Sequence, residues 1–270
     1  MESATPPGRA SLALALLADS RLPAGGYTQS SGLEGAIGAG LGLGDIPAYI
    51  AARLATVVPT DAGAAVLTAS AIQADAAGPG NGIGLGGGSS GGDGGGGGGI
   101  GGGGIGHQLN SIWLEWAART PNPVLRRTAE QAGRGYMRLA AYLWPNHPGL
   151  AAARQAEQTR AAQRSLAKAY LPRPLALGLV AACAGLNRTE TAYLVGYEDV
   201  ATLVAACPKL LPADPLVCTR WLFDSLDTVE ALADQLADLD QPDQIPAPSA
   251  PQIEAWATTH ALKPERLFHA

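Results

Sequence analysis

A chain of 270 residues that is 47% hydrophobic and 15% charged can bury one sizeable core, so its length favours a single domain spanning 1–270. A net charge of -5, with arginines scattered along the chain, gives no basic footprint and argues against nucleic acid as a partner. Three isolated cysteines, Cys183, Cys207 and Cys218, form no CxxC pair, which fits buried reduced thiols in a cytoplasmic protein better than a disulfide framework or a zinc site.

The first segment, "GRASLALALLADS", places Arg9 before a short apolar run as a signal peptide would. Glu2 and the lack of a small-x-small cleavage site after Ala18 assign it instead to mature sequence. No apolar run in the chain approaches the roughly 18 to 20 residues that span a membrane, so no membrane association is expected. A corner follows in "DSRLPAGGYTQSSGLEGAI", Asp19 to Ile37. Leu22-Pro23 ends the preceding segment, Gly25-Gly26 permits a sharp turn before Tyr27, and Ser31-Gly32-Leu33-Glu34 has the spacing of a capping box. A helix is therefore predicted from about Gly32, with Ser31 as its N-cap and Glu34 reaching back. A tyrosine held at such a corner offers an apolar ring and a hydroxyl, which suits either a structural corner or an interface.

Asp45 and Pro47 predict a helix through "AYIAARLATVV", and Thr60 or Asp61 predicts the start of another through "AAVLTASAIQADA". From Gly78 to Gly106 the composition collapses to glycine, which has little to bury and loses much backbone entropy on ordering, so a disordered tether is expected. Its G-x-G-x-x-G at Gly82, Gly84 and Gly87 is a chance product of the tract, because a dinucleotide fingerprint needs a strand before it and a helix after it. Beyond the tract, "HQLNSIWLEWAAR" stops at Pro121, and "VLRRTAEQAGRGYMRLAAYLW" runs at helical spacing to Pro145. Two Ala/Leu-rich segments follow. Asn187 and Glu190 then form a capping box before "TAYLVGYEDVATLVAA". Asp214-Pro215 opens a long helix through "VCTRWLFDSLDTVEALADQLADL", and "PQIEAWATTHAL" is the last. With strand signals nearly absent, the expected architecture is an all-α bundle of about eight to ten helices.

Few residues point to catalysis. His107, His147, His260 and His269 have no i,i+3 or i,i+4 partners and read as solvated histidines at loops or termini. Glu198-Asp199 and the set Asp234, Asp238 and Asp240 read as solvated helix faces, and Trp113 with Trp116 as a core stripe. There is no phosphate loop and no short motif joining a nucleophile, a base and an orienting group.

The pattern Leu22-Pro23-x-Gly25-x-Tyr27-x-x-Ser30-x-Gly32-Leu33-Glu34 resembles the N-terminal signature of the UreF family, the urease accessory proteins that help load nickel into urease. The closing "ERLFHA" is similar to that family's Arg-Leu-Phe tail, and "ARTPNPVLRRTAEQAGRGYMRLAAYLWP" resembles the middle of actinobacterial members. The chain departs from the pattern at Gln29, at Ala270, in the glycine insertion and between Lys209 and Trp221. The resemblance implies a non-enzymatic cytoplasmic chaperone without a cofactor. Such a protein forms a homodimer, binds UreD (also called UreH), and through it recruits the GTPase UreG and apo-urease. It also implies partner-binding roles for Pro23, Gly25, Tyr27, Ser30, Gly32 and Glu34 at the corner. The same role falls to Arg266, Leu267 and Phe268 in a tail that orders when UreD binds. Two readings of other classes stay open: a small helical metal carrier or enzyme using His260 and His269, and a generic helical adaptor unrelated to urease.

Overall fold

The computed structural model describes residues 7–19, 22, 29–77, 104–263 and 267–268. Within them the chain forms twelve α-helices and no strand. They are α1 (Pro7–Leu17), α2 (Leu33–Gly38), α3 (Ile46–Ala55), α4 (Val57–Ala77), α5 (Ile105–Arg119) and α6 (Pro123–Leu143), then α7 (Pro148–Gln163), α8 (Arg173–Ala184), α9 (Arg188–Leu210), α10 (Pro215–Asp224), α11 (Leu226–Leu236) and α12 (Pro251–Ala261).

Prolines set many of the boundaries. Helices α3, α6, α7, α8, α10 and α12 each carry proline in their first turn, where its missing N–H costs nothing. Side chains complete several starts: Asn122 Oδ1 accepts from Val124 N at 2.8 Å, Asp214 Oδ1 from Leu216 N at 2.8 Å, and His147 Nδ1 from Gly149 N at 3.1 Å. The capping box of Asn187 and Glu190 forms as expected, with both reciprocal bonds in place.

Helix α8 is apolar on every side and is buried on nearly every side, as such a helix must be. It packs most extensively on α4 and α6, while α4 also packs on α9 and α5. Gly178 permits the α4–α8 approach, since a Cβ there would overlap the Ala65 carbonyl and lie 2.7 Å from Thr68 Cβ. Trp113 and Trp116 are both 1% exposed, so the stripe on α5 is core.

Several expectations are corrected. The expected all-α bundle is found, with twelve helices among the described residues rather than about eight to ten; the long helix predicted from Asp214-Pro215 breaks at Ser225 into α10 and α11, and the boundary between the helices predicted from Asp45 and from Thr60 or Asp61 falls at Thr56. Thr60 and Asp61 lie inside α4 rather than capping it; the Thr60 hydroxyl donates to Pro246 O at 2.8 Å. Residues 78–103 of the predicted tether lie outside the described residues, whereas Ile105 and Gly106 belong to α5 and Gly106 is buried beside Gln155. All three cysteines are free, but they are not all isolated, since Cys207 on α9 and Cys218 on α10 touch one another. Burial pushes the Cys207 thiol up to about 12. The arginines are not scattered either: residues 123–168 hold seven arginines and a lysine against only Glu130 and Glu157, inside an otherwise acidic protein. Among the described residues no single helix is long and apolar enough to cross a membrane, and the bent pair α3–α4 that is long enough places α4 in the core.

Candidate functional site

The corner and the tail meet. Ser31 and Gly32 both take left-handed backbone conformations, with φ of 50° and 77°, and a Cβ on Gly32 would press on Tyr49 Oη at 3.0 Å. This double turn makes Gly32 the residue before α2 and takes Ser31 out of the capping position. The predicted Ser31–Glu34 capping box is not formed. Instead Ser30 Oγ, fully buried, accepts from Glu34 N at 3.4 Å. Ser31 Oγ donates to Asp199 O at 3.1 Å, and Ser31 O accepts from Tyr49 Oη at 2.8 Å.

Released from capping, the Glu34 carboxylate faces the C-terminal end of the chain. Its Oε1 accepts from Leu267 N and its Oε2 from Phe268 N, both at 2.8 Å, and His260 Nε2 lies 3.1 Å from Oε2. Burial raises the pKa of Glu34, but the two tail N–H groups and His260 outweigh it and hold the group below the ordinary carboxylate range. Phe268 is 4% exposed and lies under Lys209 Nζ, 5.4 Å from the ring centroid, while Leu267 stays 63% exposed. Leu267 and Phe268 are thus docked on the rest of the chain, which corrects for these two residues the expectation that the tail orders when a partner binds: two backbone bonds and a buried ring already hold them. His260 is corrected as well, since it sits in α12 at 4% exposure rather than in solvent. Pro23, Gly25, Tyr27, Arg266 and His269 lie outside the described residues.

Behind the corner lies a cleft of about 390 Å³. On its wall Arg53 makes a bidentate pair with Asp199, Nε to Oδ2 at 2.8 Å and Nη2 to Oδ1 at 2.6 Å. Burial pushes the Asp199 carboxyl up, yet Arg53 more than compensates and keeps it below its usual range. Beside this pair Arg173 bridges Glu198 and Asp61, the latter at 3.5 Å. Tyr136 Oη donates to Glu198 Oε1 at 2.8 Å and Trp116 Nε1 to Asp61 Oδ1 at 2.8 Å. Burial leaves the Asp61 carboxyl above its ordinary value despite Arg173 and Trp116. These groups pair and hydrogen-bond with one another, an arrangement that fixes geometry; no activated nucleophile is among them. Among the described residues no group of three or more His, Cys, Asp or Glu side chains is placed to hold a metal ion.

The expectation that Glu198 and Asp199 form a solvated face is overturned, as they are 7% and 3% exposed. A signal for this was present: "TAYLVGYEDVATLVAA" has apolar residues at every helical phase, which leaves no polar face for two consecutive carboxylates.

The family model for UreF matches residues 44–226, well over half of the chain. The chain belongs to the UreF family. It is 30% identical over 263 residues to the urease accessory protein UreF of Mycobacterium sp. strain JLS, covering 94% of this chain and 96% of that protein. It is 29% identical over 262 residues to the UreF of Mycolicibacterium vanbaalenii, with the same coverage. The UreF of Mycobacterium tuberculosis is 29% identical over 242 residues, or 86% of this chain and 90% of that protein. UreF is a family of accessory proteins rather than of enzymes, and the all-α fold accords with the resemblance drawn from the sequence.

Proposed function

We propose that this chain is a non-enzymatic urease maturation factor, which forms a cytoplasmic homodimer and binds UreD/UreH to make a platform that recruits the GTPase UreG to apo-urease for nickel insertion. Family membership across nearly the whole chain carries this reading. The Glu34 junction supports it further, because it joins Glu34 of one of the sequence motifs that prompted it to Leu267 and Phe268 of the other. On this reading Gly32, Glu34 and Leu267 are parts of the partner-binding surface, and Ser30 and Phe268 support it from beneath. Exposed Leu267 faces the partner and buried Phe268 anchors it, and Pro23, Gly25, Tyr27 and Arg266 keep the partner-binding roles that the family resemblance implies.

The test is complementation. A host whose urease operon lacks this gene should make nickel-poor, inactive urease, and the wild-type chain should restore both nickel content and activity. Pull-down with UreD and UreG should succeed for the wild type and fail for Leu267→Asp. Restored urease activity without any UreD association would overturn the platform reading.

A further inference from the structure

Arg160 on α7 has no use in the site just described. It is 9% exposed, its guanidinium carbon lies 5.5 Å from the ring centroid of Trp113, and Nε is sealed from solvent without a hydrogen-bond partner. No carboxylate among the described residues lies within ion-pair distance of it. Its charged neighbours worsen the situation. Arg164, the residue that caps the C-terminal end of α7, and Arg126 on α6 act on it with like charge, and Glu130 on α6 acts in its favour. Glu130 is itself shared among Arg164, Arg160, Arg126 and Arg127, and burial drives it toward its neutral form. The surrounding span, 123–168, carries eight basic side chains against two acidic ones.

A buried cation without a counter-ion is costly, and stacking on an indole offsets only part of that cost. Fixed positive charge that converges at a helix–helix junction and is left unpaired by the fold fits a negative group supplied from outside, which a guanidinium fork recognises well. We propose that Arg160, assisted by Arg164 and Arg126, forms a site for a single oxyanion group, a carboxylate or a phosphate, at the edge where α6 and α7 meet above Trp113. The group has two sources: a free inorganic anion, or an acidic side chain of a protein that docks against the basic face. This assignment is independent of the corner and tail.

Two probes separate the sources. Full-length protein would be titrated calorimetrically with inorganic phosphate and with a hexaglutamate peptide, at fixed ionic strength set with chloride. Saturable one-to-one binding of either probe is expected, weakened at least tenfold in Arg160→Met and severalfold in Arg164→Gln. Peptide affinity far above that for phosphate assigns the site to an acidic partner segment, and equal affinity assigns it to a free anion. Absence of saturable binding by both probes overturns the proposal, as does wild-type affinity in a folded Arg160→Met. Should Arg160→Met fail to fold, the surface variant Arg164→Gln decides: unchanged affinity there overturns the proposal and reduced affinity supports it.

Discussion

Arg53 and Arg160 are 7% and 9% exposed, and the fold treats them in opposite ways. Arg53 meets both oxygens of Asp199 and is raised above its normal pKa, against the pull of burial. Arg160 meets an aromatic face and other arginines, and burial with those like charges lowers it. The difference shows that burial alone does not say what an arginine is for. A paired guanidinium is a structural clamp, here tying α3 to α9 and, through the Asp199 carbonyl, to the corner at Ser31. An unpaired one is a charge held ready for a ligand. Glu34 stands between the two extremes, part-exposed and fully engaged by the chain's own tail.

The comparison breaks most visibly at the clamp. Arg53→Met should destabilise the protein by about 3–5 kcal/mol, because it strands the Asp199 carboxylate in the interior. Equilibrium urea unfolding measures this, and a loss below about 1 kcal/mol would mean that the pair is solvated and the contrast with Arg160 unfounded.

Acid should weaken the same clamp. The folded pKa of Asp199 is depressed, so its contribution is present above the unfolded value of about 3.9 and is lost as pH falls through the lower, folded value. Thermal melts from pH 6 down to pH 2 should show a steeper acid fall for wild type than for Asp199→Asn, which starts lower and has lost that dependence. Parallel curves would remove Asp199 from the account.

Glu34→Gln tests the intermediate case. The amide keeps one acceptor oxygen but loses the charge that favours two N–H donors and His260, a local loss of about 1–2 kcal/mol. Amide hydrogen exchange at Leu267 and Phe268 should accelerate about tenfold, matching an opening free energy lower by about 1.4 kcal/mol, while α4 and α8 exchange unchanged. Unchanged tail protection would show that Phe268 burial alone holds the tail.

The smallest effect is expected at the unpaired site. Without added anion, Arg160→Met should leave the unfolding free energy within about 1 kcal/mol of wild type or raise it, since an apolar side chain relieves an uncompensated charge. A loss comparable to that of Arg53→Met would erase the distinction between the two arginines.

What the sequence determined by itself was local. Prolines after polar residues set the starts of α6 and α10, Asn187 and Glu190 set that of α9, and the apolar phases made Trp113 and Trp116 core, because each of these depends on neighbours within one or two helical turns. Tertiary structure decided the rest. Ser31 and Glu34 have the spacing of a capping box, but the left-handed turn at Ser31–Gly32, stabilised by Tyr49 and Asp199 from α3 and α9, withdraws Ser31 and leaves Glu34 to the tail 233 residues away. His260 and Glu198 looked like surface polar groups, and only the packing of α12 on α2 and of α8 on α9 shows that each is buried with a partner. Charge pairing is a property of distance in space, and helical periodicity carries no information about which carboxylate will stand opposite which arginine. That is why Arg53 and Arg160 read alike in the sequence and differ in the fold.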